Sequence, residues 1–194
     1  DIDQAVKDAV TARIQNNGQS CICGKRTIVH ADIYDDFSER FIQALKDVKL
    51  GDPMDEDTGL GPLSSEGQRD TVLDQVDKAK KEGCTLLFGA EKIDKPGAWM
   101  TAGLLTDVPV GSETGTDEIF GPVGQLYKAK DIDEATTIAN AIPFGLGSAV
   151  WTTDESEQEQ FANAIEAGMT TFNGVNGSKI EAPFGGIKRS GHGR

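Results

Sequence analysis

The stretch "NNGQSCICGKRTIVHADIYDDFSERFIQAL", residues 16–45, sets the fold class, because it switches from turn to strand to helix within thirty positions. Asn16-Asn17-Gly18 is turn chemistry, since Asn and Gly tolerate backbone conformations that other residues avoid. "RTIVH" (26–30) is short and rich in β-branched residues, which predicts a strand. Ile33, Phe37, Phe41, Leu45 and Val48 then recur at three- and four-residue intervals, which predicts a helix with one apolar face. Ahead of the turn, Ala5, Val6, Ala9, Val10 and Ile14 keep the same helical spacing, and Asp1 with Gln4 fits a capping box.

The alternation continues outward. "GDPMDEDTGLGPL" (51–63) is a loop by its Gly, Pro and Asp content. Ser65 with Gln68 opens a helix whose apolar face is Val72, Val76 and Ala79, and Gly83 caps its end. "CTLLF" (84–88), "GLLTDV" (103–108) and "VGQLY" (123–127) predict strands. Asp131 with Glu134 starts a helix that "PFGLG" (143–147) breaks, and "SAVWTT" (148–153) is strand-like. Asp154 with Glu157 starts a last helix, carrying Phe161 and Ile165 and ended by Gly168, before the strand "MTTFN" (169–173). Helices alternating with strands predict an α/β fold of three layers, a largely parallel sheet with helices on both faces, in a single domain over 1–194.

Composition narrows the function classes. The 194 residues suffice for one domain with a real core, and 37% hydrophobic with 26% charged residues is ordinary for a globular protein. A net charge of -13 argues against nucleic acid and against anionic membranes, both of which need clustered Lys and Arg. No apolar run approaches the ~20 residues of a membrane helix. The start "DIDQAVKDAV" lacks signal-peptide features and an initiator Met, so the chain is expected to begin inside a longer one. Three cysteines are an odd number and too few for a disulfide scaffold, which favours a reducing, cytoplasmic compartment. No metal is expected: His30, His192 and Cys84 are scattered, whereas a structural zinc site gathers four ligands.

The chemistry concentrates at Cys21 and Cys23. Cysteine attacks as its thiolate, and a Gly-containing turn brings backbone N–H groups close to the sulfur and its adducts. Lys25 and Arg26 add positive charge nearby. The C-x-C spacing is not the C-x-x-C of thioredoxin-like enzymes, and two small buried cysteines in a turn is the plainer reading. Glu118 in "DEIFGPV" (117–123) reads locally as a solvated carboxylate and Phe120 as core.

Taken together, "NNGQSC", "GDPMDEDTGLGPL", "DEIFGPV", "PFGLGSAVWT" and "PFGGIKRSGHGR" follow the order and approximate spacing of the aldehyde dehydrogenase superfamily. The chain resembles its catalytic, C-terminal domain, and is most similar to succinate-semialdehyde dehydrogenase-like members. The resemblance implies Cys21 as nucleophile, with its backbone N–H donating to the oxyanion. It implies Glu118 on the nicotinamide ribose of NAD or NADP, and Phe120 beside the ring. It implies Cys23 as a redox partner of Cys21, since some succinate-semialdehyde members carry a second Cys at this spacing. Lys25 and Arg26 receive no chemical step.

For an acidic substrate the family pattern places an Arg just before the turn. Gln15 stands there, Arg13 lies two residues earlier, and Ser178 precedes "APFGG"; these three are the candidate substrate contacts. The cofactor-binding domain, with the general-base Glu, and the final oligomerisation strand are expected outside these residues. A homo-oligomeric parent is implied, with the chain inactive alone. Two other readings stand beside it: an acyl-phosphate reductase sharing the fold and nucleophile, and a non-catalytic redox-sensing or binding module.

Overall fold

In a computed structural model, which describes residues 1–192, the predicted elements assemble around one four-stranded sheet. Helix α1 (Ile2–Ile14) is capped by Asp1, whose side chain accepts from Gln4 N, as its sequence predicts. Strand β1 (Arg26–His30) and helix α2 (Tyr34–Lys46) follow. Helix α3 (Glu66–Lys81) starts at Ser65, which accepts from Gln68 N, and ends before Gly83, whose φ of +94° suits glycine. Strands β2 (Thr85–Gly89) and β3 (Gly103–Thr106) lead to a one-turn helix α4 (Glu113–Thr116) and to β4 (Val123–Ala129). Helix α5 (Ile132–Asn140), strands β5 (Phe144–Gly145) and β6 (Gly147–Val150), helix α6 (Glu155–Ala164), and strands β7 (Met169–Phe172) and β8 (Ile187–Lys188) complete the chain.

The main sheet runs β1-β4-β3-β2. β1 and β3 both lie parallel to β4, with Arg26 opposite Gln125 and Gly103 opposite Val123. β2 joins antiparallel. β6 pairs parallel with β7, and β5 antiparallel with β8, as separate ribbons.

Alternation along β4 builds both faces. Val123, Tyr127 and Ala129 pack with Val72, Val76 and Ala79 of α3 and with Ile138 of α5. Leu126, with Leu104 of β3, packs against Val6 of α1 and Phe37, Phe41 and Leu45 of α2. Helices therefore cover both faces, and three layers result. Two predicted boundaries shift. Ile33 sits ahead of α2 and is 40% exposed, and α6 stops at Ala164 rather than running to Gly168. Gly168 instead lets two chain segments touch: a Cβ there would stand 2.0 Å from Gly185 O.

Candidate active site

The turn between α1 and β1 is built from consecutive left-handed residues, with φ of 48° at Asn16, 56° at Asn17 and 74° at Gly18. Asn tolerates this conformation and Gly favours it, so the Asn-Asn-Gly sequence is what allows the reversal. Asn17 fastens the turn to the 51–63 loop: its Nδ2 donates to Pro62 O (3.0 Å) and its Oδ1 accepts from Gly61 N (2.9 Å). Gln19 Oε1 accepts from Ser64 N at 3.0 Å. Gly18 lies so close to a second turn that a Cβ would stand 2.1 Å from Gly121 O. That approach brings the cysteine turn against "EIFGPV".

Beyond Gly18 the chain carries Cys21 to the surface and turns Cys23 inward. Cys21 is exposed; Cys23 is 6% exposed and its Sγ donates to Gln15 O at 3.3 Å. Cys23 N donates to Ser20 O (3.1 Å) and closes the turn, while Cys21 N–H finds no acceptor among the described residues. A free N–H beside an exposed thiol is a donor available to an oxyanion formed on that sulfur's adduct.

Lys25 is the hub of this arrangement. Its ammonium donates to the carbonyls of Ser20 (2.8 Å), Cys21 (3.1 Å) and Cys23 (3.4 Å), and stands 2.9 Å from Glu118 Oε1. It also lies 5.9 Å from the centre of the Phe120 ring. Burial pushes the Lys25 ammonium below its ordinary range, opposed mainly by its hydrogen bond to Glu118. Glu118 and Phe120 are held from behind by α3: Gln75 Nε2 donates to Glu118 O (3.1 Å) and Gln68 Nε2 to Phe120 O (2.8 Å). Cys21, Lys25 and Glu118 open onto one broad cleft of about 1240 Å³ that runs along β1 toward β6.

The remaining candidates separate. Arg13, expected among the substrate contacts, is only 1% exposed and lies beneath the turn, where its Nη2 donates to Gly18 O at 3.0 Å. Burial lowers its pKa to about 10, against the opposing pull of Cys23 and Glu118. Arg13 does not line the Cys21 cleft and supports the turn from below. Gln15 is half-buried, its Nε2 within 3.4 Å of Ile22 O. Ser178 is exposed on the 173–186 loop and does not line the Cys21 cleft. Arg26 turns away to cap α5, donating to Ala139 O (3.1 Å) and Ile138 O (2.6 Å) while stacking on Tyr127. The sequence marks Gln68 only as a helix-capping residue and does not mark Gln75, and the part played by Lys25 is equally hidden there. Among the described residues no three His, Cys, Asp or Glu side chains converge to hold a metal.

The aldehyde dehydrogenase family pattern matches residues 1–194. The chain belongs to the aldehyde dehydrogenase family. It is 52% identical to a succinate-semialdehyde dehydrogenase [NADP(+)] of Mycobacterium avium, over all of this chain and 41% of that protein. Among solved structures, it superposes with a TM-score of 0.95 on a succinic semialdehyde dehydrogenase from Streptococcus pyogenes in complex with NADP+, at 40% identity, covering 100% of this chain and 43% of that one. It superposes with a TM-score of 0.96 on a betaine aldehyde dehydrogenase from Staphylococcus aureus in complex with NAD+, at 31% identity, covering 100% and 39%. The chain thus spans about two fifths of the length of the curated relatives it matches.

The family implies a dinucleotide, and this chain's residues fit one end of it. Glu118 has one carboxylate oxygen on Lys25, and the Phe120 ring lies near the same ammonium, a carboxylate and an aromatic side chain of the kinds that suit a ribose and a flat ring. The pyrophosphate end finds no match among the described residues. The caps of the long helices include Asp1, Ser65, Asp131 and Asp154, which already accept their own helix N–H groups, and their first turns are acidic. Such ends repel phosphate instead of cradling it.

Proposed function

We propose that this chain is the catalytic half of an NAD(P)-dependent aldehyde dehydrogenase, completed by a cofactor-binding domain outside these residues. The observation that carries the reading is the exposed Cys21 sharing one ammonium with Glu118. Cys21, as its thiolate, attacks the aldehyde carbon and forms a C–S bond, and the carbonyl oxygen becomes an oxyanion. The Cys21 N–H donates to that oxyanion. Bound NAD(P)+ supplies the hydride acceptor. Loss of hydride from the tetrahedral carbon restores the C=O as a thioester, and water then displaces the thiolate to give the carboxylic acid.

Glu118 orients the nicotinamide ribose through its carboxylate, with Phe120 packing beside it. Arg13, Gln15 and Ser178 are the residues proposed to select an acidic aldehyde, Arg13 and Gln15 through the turn that carries Cys21 and Ser178 from the 173–186 loop. Succinic semialdehyde is the proposed substrate, supported by the relatives that carry its name. Cys23 is proposed to resolve an oxidised Cys21. Peroxide takes two electrons and two protons from the thiols, forming a disulfide and water; Cys23 must first leave Gln15 O, so the turn has to move. Peptide mapping after peroxide that finds no Cys21–Cys23 linkage contradicts this.

The test is NAD(P)H formation by the full-length protein with succinic semialdehyde, acetaldehyde and benzaldehyde, each with NAD+ and NADP+. Succinic semialdehyde is expected to give the highest kcat/KM, and residues 1–194 alone no turnover. Activity of the isolated chain, or none of the full-length protein with any aldehyde, contradicts the proposal.

A further inference from the structure

We propose that Lys25 is a positioning residue that locks the thiol-bearing turn and the ribose carboxylate Glu118 into one unit before cofactor arrives. The proposal rests on the assignment of Glu118 to the cofactor given above.

One ammonium has three protons, and four acceptors surround this one: the carbonyls of Ser20, Cys21 and Cys23, and Glu118 Oε1, all at 2.8–3.4 Å. No donor is left over for a substrate, so Lys25 does not act on the reacting atoms. Its side chain is 18% exposed, which restricts the flexible stem that otherwise lets a lysine wander. The carbonyls come from the residues that flank and include Cys21, so the turn cannot shift without breaking these bonds.

Glu118 is fixed by two independent elements. Gln75 of α3 holds its backbone carbonyl, and Lys25 holds its carboxylate. Without Lys25 the backbone stays in place and the half-exposed carboxylate is free to rotate. The charge-assisted bond from Lys25 selects one rotamer and leaves Oε2 for the ribose. Arg13 adds a second cation behind Glu118, but as a buried support without the direct carboxylate contact that Lys25 makes. The consequence is that Lys25 acts on cofactor binding through Glu118, and on the nucleophile through the turn carbonyls.

The test is a double-mutant cycle read by NADPH titration of the full-length apoenzyme, monitoring the nicotinamide fluorescence. Glu118→Gln and Lys25→Met are each expected to raise the NADPH Kd about tenfold, the scale of one charge-assisted hydrogen bond. The double variant is expected to match Glu118→Gln alone, because the charge-assisted bond by which Lys25 fixes the carboxylate is already gone. Lys25→Arg, which keeps the charge, is expected to recover part of the loss. Multiplying effects in the double variant, or an unchanged or tighter Kd in Lys25→Met beside a weakened Glu118→Gln, overturn the inference and leave the cofactor assignment standing. An unchanged Kd in Glu118→Gln overturns the assignment, and the inference with it. Lys25→Gln, smaller and still polar, serves the same cycle if Lys25→Met does not fold.

Discussion

Asn17 shows how much one turn residue does. It holds a φ of 56° and makes two hydrogen bonds to a loop more than forty positions away. Asn17→Ala removes both bonds and leaves a left-handed alanine, so it is expected to destabilise the protein by about 2–3 kcal/mol, read as a lower urea midpoint at unchanged m. Asn17→Gly relieves the backbone but not the lost bonds, and should fall between Ala and wild type. The Asn-Asn-Gly turn was legible because its reason is local. Lys25 was not, because its partner Glu118 lies far along the chain and a lysine beside a turn reads as a solvated charge. Arg13 reads as a helix-end arginine near a nucleophile, and its burial was hidden for the opposite reason: only the packing around it shows it.

At the scale of elements, the site is two turns pressed together. Gly18 and Gly121 O leave no room for a methyl group, and Gly18 also has a φ of 74°. Gly18→Ala combines a backbone clash with a left-handed alanine, and is expected to cost about 3 kcal/mol or more and to separate the Cys21 turn from the Glu118 segment. Thermal melting and NADPH affinity should therefore fall together in this variant. The capping pairs at Asp1, Ser65, Asp131 and Asp154 and the apolar stripes of α2 and α3 marked most helices in advance. The short elements escaped: α4 has one turn and β8 two residues, too few to show a period. Strand direction was also hidden. β2 looks like its parallel neighbours in composition, and only its return connection to β3 makes it antiparallel.

At the scale of the whole molecule, the fold sorts the three cysteines by exposure. Cys21 is exposed, whereas Cys23 and Cys84 are each 6% exposed. Burial, reinforced by Glu82 and Asp107, pushes the Cys84 thiol up, so its thiolate forms only above the usual cysteine range. Iodoacetamide at pH 8 is expected to label Cys21 at least about tenfold faster than either other cysteine, with Cys84 reacting only after denaturation; mass spectrometry of the labelled peptides reads this directly. Equal labelling of all three would favour a module without a distinguished nucleophile. The excess of acidic residues extends to the first turns of the helices, which disfavours phosphate at those helix ends.

Whether Cys21 carries the chemistry is decided by NADPH formation from succinic semialdehyde by the full-length protein, wild type against Cys21→Ala. Turnover is expected in the wild type and a loss of at least about 10³-fold in the variant, with NADPH affinity unchanged because Glu118 and Lys25 remain in place. Turnover retained in Cys21→Ala would contradict that role for Cys21.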